Sequence, residues 1–162
     1  PFDALEGVVE TIVGYTGGTE LAPDYGRVSS GATGHAEAVL VLYDPERISY
    51  ERLLEVFWRN IDPTQPDGQF FDRGPQYRTE IFVLDEEQRR LAEASREALA
   101  ASGLFSGPPA TRISPAGRFW SAEEYHQDYY RKNSLHYDAY KRGSGREAFC
   151  RRVWGGGEKT AR

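Results

Sequence analysis

Two carboxylates and a set of phenols stand out among the residues able to do chemistry. Glu37 lies in the run from His35 to Tyr43, which is otherwise mostly apolar. Burial in such a run raises the pKa of a carboxyl and keeps it protonated near neutrality. A neutral carboxyl can give a proton or a hydrogen bond to a polar oxygen. The competing reading of Glu37 is a salt-bridged residue at a strand end. Asp72, flanked by Phe71 and Arg73, is a second candidate; its structural alternative is a loop aspartate that pairs with arginine or caps backbone N–H groups. Tyr25, Tyr77 and Tyr129 lie near polar loops or on the last helices. A phenol can donate to a developing oxyanion, although most buried tyrosines fill space with a satisfied hydroxyl.

Other chemistries find less support. His35, His126 and His136 lack the spacing of metal ligands, so no metal site is expected. Gly14-Tyr15-Thr16-Gly17-Gly18 fits neither the dinucleotide fingerprint nor the phosphate-binding loop. No organic cofactor is implied. The single cysteine, Cys150, falls with Phe149, Val153 and Trp154 on an amphipathic stretch, where a small buried thiol is the ordinary reading. Arg146, Arg151 and Arg152 could supply the positive charge that a redox thiolate needs.

These residues must be positioned by a small set of elements. Val8 to Val13 reads as a strand, followed by a tight turn region at Gly14 to Gly18 and a long loop over 19–34. His35 to Tyr43 reads as a strand with apolar residues on both faces, as in mid-sheet. Ser49 is the expected N-cap of a helix to about Asn60, whose buried stripe is Tyr50, Leu53, Leu54, Phe57, Trp58 and Ile61. A loop over 62–76 leads to a strand at Tyr77 to Leu84. Asp85 with Gln88 forms a capping box for a helix to about Ser102, closed by Gly103. A short strand follows near Thr111 to Ile113. Ser121 with Glu124 and Ser144 with Glu147 predict two further helices, Tyr125 to Lys132 and one ending at Trp154. Strands and helices mix without strict alternation, which predicts an α/β sandwich.

The whole chain bounds what these residues can serve. Its 162 residues are the size of one domain with a full apolar core. A net charge of −5 and a pI near 5.3 disfavour a general nucleic-acid binder. The late basic residues, Arg131, Lys132, Lys141, Arg142, Arg146, Arg151 and Arg152, interleave with acidic ones and read as a solvated face. No apolar run approaches the roughly 18 to 20 residues of a membrane span. One cysteine excludes an intrachain disulfide and fits a reducing cytoplasm. The chain carries no methionine, and Phe2 to Gly7 reads as the last turn of a helix, so residues ahead of Pro1 are expected.

Six stretches together resemble the peptide methionine sulfoxide reductase A family. They are Gly14-Tyr15-Thr16-Gly17-Gly18, Thr33-Gly34-His35-Ala36-Glu37-Ala38-Val39, Tyr43-Asp44-Pro45 with Ile48-Ser49-Tyr50, Phe57-Trp58 with Asp62-Pro63-Thr64-Gln65, Asp72-Arg73-Gly74-Pro75-Gln76-Tyr77-Arg78, and Ala122-Glu123-Glu124-Tyr125-His126-Gln127-Asp128-Tyr129. The match is dense to Asn133 and thinner to Trp154. The resemblance implies a two-layer α/β sandwich around a mixed sheet, with a ferredoxin-like core. It implies reduction of the S epimer of methionine sulfoxide, free or in proteins, through a cysteine sulfenic acid. On that pattern Glu37 is the acid, Tyr25 and Tyr77 polarise the oxygen, and Asp72 assists substrate placement and turnover. Tyr129 and His35 fall on the substrate-binding side. The family's Gly-Cys-Phe-Trp nucleophile motif, and the strand ahead of it, would lie just before Pro1. Cys150 departs from the family's resolving cysteine in a glycine-rich tail. Thioredoxin or another thiol is the implied reductant, and a cytoplasmic monomer is the expected form. Two alternatives stay open: a non-catalytic module of the same fold that binds Met-containing or oxidised peptides, and a hydrolase using Glu37 and Asp72 as paired carboxylates.

Overall fold

The computed structural model describes residues 1–155. In chain order its elements are a 3-10 turn (Phe2–Ala4), β1 (Val8–Thr16), α1 (Tyr25–Ser29), β2 (Ala36–Tyr43), α2 (Tyr50–Arg59), β3 (Gly68–Gln69), β4 (Asp72–Arg73), a second 3-10 turn (Pro75–Tyr77), β5 (Glu80–Val83), α3 (Glu86–Ala101), β6 (Arg112–Pro115), β7 (Trp120–Ser121), α4 (Tyr129–Lys132), α5 (Ser134–Gly143) and α6 (Arg146–Trp154). The architecture is α/β. Rather than one mixed sheet, the strands divide into an antiparallel sheet in the order β2-β1-β7, a β3-β4 hairpin and a parallel β5-β6 pair.

The apolar core lies between α2, α3 and the β5-β6 pair. Leu54, Trp58, Ile61, Ile81, Val83, Ala92 and Leu99 form one buried cluster. Local signals place both helices. Ser49 Oγ accepts the Arg52 amide at 3.2 Å, and Asp85 Oδ1 accepts the Gln88 amide at 2.7 Å. Gln88 Oε1 accepts the amide of Leu84, the residue before the N-cap, at 3.0 Å, so the return bond of the expected capping box is shifted by one residue. The indole of Trp58 donates to Ser95 Oγ at 3.0 Å, so the two helices are joined by a hydrogen bond as well as by burial.

Several sequence expectations are corrected. Gly14, expected in a turn, stays inside β1, and the chain turns at Gly17 with φ +83°. A Cβ at Gly14 would lie 2.2 Å from the Trp120 carbonyl oxygen and 2.5 Å from the Phe119 ring, so Gly14 admits the close approach of β7. Among the described residues β2 is an edge strand rather than a central one, and Val39 and Leu42 on it are 48% and 41% exposed. The helix expected over Tyr125 to Lys132 shrinks to α4. The Gln127 side chain turns back onto β1, accepting the Val13 amide at 3.0 Å and donating to the Val13 carbonyl at 2.9 Å. The loops expected over 19–34 and 62–76 contain α1 and the β3-β4 hairpin, and α5 precedes the last helix. Among the described residues no helix is long and apolar enough to cross a membrane.

Candidate active site

Glu37 stands directly across from Tyr15 in the β1-β2 register. Its side chain reaches solvent. The surrounding protein still penalises the anion, and the charge of Asp72 adds to that penalty, so the carboxyl titrates above its ordinary range. Access and a raised pKa are together what a proton donor requires. As expected from the apolar run, desolvation is the first cause of the shift, although the side chain is not enclosed.

The loops bring three further candidates to Glu37. Tyr77 ends the Pro75–Tyr77 turn, and its phenol is pushed up by burial first, then by the charges of Glu37, Tyr25 and Asp72. The strand that carries Glu37 and the β3-β4 hairpin that carries Asp72 both pack on this turn, and the charges of Glu37, Tyr25 and Asp72 are felt at Tyr77. Gln76, buried beside Tyr77, donates to the Ser29 carbonyl at 2.8 Å and ties the turn to α1, the helix that begins at Tyr25. Gly74 makes this possible: its φ is +130°, and a Cβ there would lie 2.4 Å from Gln76 Oε1.

Tyr25 is held from the other side by Glu123, which the sequence reading quoted only within a motif. Glu123 Oε1 accepts the Tyr25 amide at 2.8 Å, and Glu123 Oε2 accepts the hydroxyl of buried Tyr15 at 2.8 Å. Burial works against the Glu123 anion. The Tyr25 amide, its own amide, the Tyr15 hydroxyl and His126 outweigh it and hold the carboxyl below its usual range. The Tyr25 ring lies 4.4 Å from the His126 ring, centroid to centroid.

Asp72 sits on the β3-β4 hairpin, whose stem is a buried polar lattice. Asp62 accepts from the Thr64 amide, the Thr64 hydroxyl and the Gln65 amide group at 3.0, 2.6 and 3.0 Å. Gln69 accepts the Asp62 amide at 2.9 Å and donates to its carbonyl at 2.8 Å. Gln65 Oε1 accepts the Phe70 amide at 2.8 Å. The Asp62-Pro63-Thr64-Gln65 motif thus builds the platform for Asp72. The hydroxyl of Tyr140, on α5, donates to Asp72 Oδ2. Arg78 and Glu80, with side chains 9% and 7% exposed, pair at 2.6 Å below the Tyr77 turn.

Three predicted residues lie elsewhere. His35, expected at the substrate, is 2% exposed and spent inside the protein. Its Nδ1 accepts the Gly18 amide at 3.1 Å, so the other nitrogen carries the proton, 2.8 Å from the Glu20 carbonyl. It fastens the 17–20 turn to the start of β2. Tyr129 and Cys150 line a cavity of about 1430 Å³ that Glu37, Tyr25, Asp72 and Tyr77 do not line. Cys150 is half-buried; burial pushes its thiol up, and the charges of Arg146 and Lys141 only partly oppose this. Among the described residues no group of three or more His, Cys, Asp or Glu side chains is placed to hold a metal ion.

A carboxyl that titrates above its ordinary range, on a strand packed against the Tyr77 turn, is an arrangement able to give a proton to a polar oxygen. Comparisons with known proteins agree on the family. The profile of the family described as Peptide methionine sulfoxide reductase matches residues 1–158. A Bacillus pumilus protein named peptide methionine sulfoxide reductase MsrA is 51% identical over 154 residues, covering 95% of this chain and 86% of that protein. A Listeria innocua protein of the same name is 50% identical over 156 residues, covering 96% of this chain and 88% of its own length. The solved structure of methionine sulfoxide reductase A of Corynebacterium diphtheriae superposes with a TM-score of 0.71 at 36% identity, over 83% of this chain and 68% of that one. The chain belongs to the peptide methionine sulfoxide reductase family.

Proposed function

We propose that the chain reduces the S epimer of methionine sulfoxide, free or within proteins, to methionine, with Glu37 as the proton donor. Family membership makes it an oxidoreductase acting on methionine sulfoxide and sets aside the hydrolase reading. One observation supports the residue assignment: the solvent-accessible Glu37 stands on a strand packed against the Tyr77 turn, which also packs on the hairpin that carries Asp72.

The reaction needs negative charge on the sulfoxide oxygen to be neutralised as a thiolate attacks the sulfur. Glu37 supplies the proton, and the Tyr25 and Tyr77 hydroxyls donate hydrogen bonds to the same oxygen. The oxygen passes to the attacking sulfur. The substrate sulfur is reduced by two electrons to the thioether, and the thiol sulfur is oxidised by two to the sulfenic acid. Thiol plus sulfoxide gives sulfenic acid plus methionine, so the atoms balance. Asp72 places the substrate. Cys150 faces a different cavity with its thiol pushed up, which makes it a poor nucleophile here. The attacking cysteine is therefore proposed to be another one, which the family resemblance puts ahead of Pro1. Thioredoxin or another dithiol in a reducing cytoplasm would regenerate it, with the protein acting as a monomer.

Racemic methionine sulfoxide and dithiothreitol, supplied to the full-length protein, test this reading. Consumption should stop at half of the substrate, leaving the R epimer untouched. Consumption of both epimers, or of neither, contradicts it.

A further inference from the structure

The C-terminal helices supply a group that no motif in the sequence marks. Tyr140 and Asp72 are 68 positions apart, yet the Tyr140 hydroxyl donates to Asp72 Oδ2. The helices that carry this hydroxyl dock on the hairpin through contacts of their own. Arg146 lies over the Phe70 ring at 5.0 Å and donates to the Asn60 carbonyl at 3.4 Å. Phe149 meets the same Phe70 ring edge-on at 5.5 Å. Phe70 is buried, with φ +58°, and precedes Phe71 and Asp72 at the tip of the hairpin. The helix α6, against which α5 packs, is therefore seated on the hairpin by contacts other than the Tyr140–Asp72 bond.

Asp72 without this bond would be a half-buried carboxylate on a two-residue strand, free to turn toward water. With it, the negative charge is held where it acts on Glu37. The Tyr140 phenol is itself pushed far above its ordinary range, by burial first and by Asp72 second, with Arg146 opposing and Tyr77 adding slightly.

We infer that Tyr140 is a positioning residue for the reaction: its hydroxyl fixes the Asp72 carboxylate on the β3-β4 hairpin, which packs on the same Pro75–Tyr77 turn as the strand that carries Glu37. This rests on the reading of Glu37 as the proton donor. The ionisable groups coupled electrostatically to Glu37 include Asp72 on β4, Tyr77 on the 3-10 turn and Tyr15 on β1. Asp72 is the carboxyl among these, and it is the one that Tyr140 bonds.

Tyr140→Phe, Asp72→Asn and the double variant in the full-length protein provide the test, with methionine sulfoxide and dithiothreitol. Tyr140→Phe should lower kcat by about tenfold, the order of one hydrogen bond to a charged group. The alkaline limb of its pH profile should move to lower pH. The same change made in Asp72→Asn should cost nothing further, because the partner is gone. A readout free of activity is the 13C titration of the Glu37 carboxyl, whose midpoint should fall in Tyr140→Phe. An unmoved Glu37 midpoint, or a full additional loss in the double variant, overturns the inference. Failure of the underlying reading looks different: Glu37→Gln would then keep the wild-type rate.

Discussion

The α2-α3 core and the loops around Glu37 hold their residues by different physics. In the core, seven buried apolar side chains cluster against the β5-β6 pair, and position follows from volume. Around Glu37, position follows from side-chain hydrogen bonds. Gln76 reaches the Ser29 carbonyl, Glu123 the Tyr25 amide, and Gln65 the Phe70 amide. The contrast explains how Glu37 and Tyr25 stay accessible to a substrate and still have fixed neighbours. An apolar core cannot expose its members; a polar lattice buried beneath a surface can.

Substitutions in the two regions should therefore separate rate from stability. Glu37→Gln carries the largest expected effect. Turnover should fall by about 10²- to 10⁴-fold, the usual weight of a positioned acid, while thermal unfolding holds. The folded chain retains the Glu37 proton to higher pH than the unfolded chain, whose ordinary value is 4.5. Stability from this carboxyl is thus full below 4.5 and is lost as pH rises through the raised folded value. Glutamine escapes that loss, so the variant should melt at the same temperature or slightly higher near pH 8. A large drop in melting temperature would put Glu37 on the structural side of the comparison.

Leu54→Ala should do the reverse. Leu54 is 3% exposed in the main cluster, and truncation at such a site costs about 2–5 kcal/mol. Urea unfolding should show that loss, with kcat of the folded fraction unchanged. Glu123→Ala should fall between the two. It leaves the buried Tyr15 hydroxyl and the Tyr25 amide without their shared partner, a cost of about 1–3 kcal/mol. It should also raise KM by freeing α1. Loss of stability with KM unchanged would show that Glu123 supports the sheet and not the site.

What the sequence made legible follows the same divide. The helices α2 and α3 could be read because their caps and apolar period lie within a few residues of each other. Ser49 and Asp85 cap their helices as their spacing implies. Glu37 stands out in the sequence because a charge interrupts an apolar run. Features that depend on distant partners were not. Gly14 looks like a turn residue until Trp120 is seen against it. His35 looks available until Gly18 and Glu20 are found on both ring nitrogens. Tyr140 carries no signal at all, since α5 has no side-chain cap and its partner is 68 positions away.

The central claim is that the proton reaching the sulfoxide oxygen comes from Glu37. The pH dependence of the single-turnover rate, measured with the full-length wild type and with Glu37→Gln, tests it most directly. The account predicts that the wild-type rate falls as pH rises through a midpoint above 4.5, and that this limb is absent from a slow Glu37→Gln variant. A Glu37→Gln variant with the wild-type rate and the same alkaline limb would contradict it.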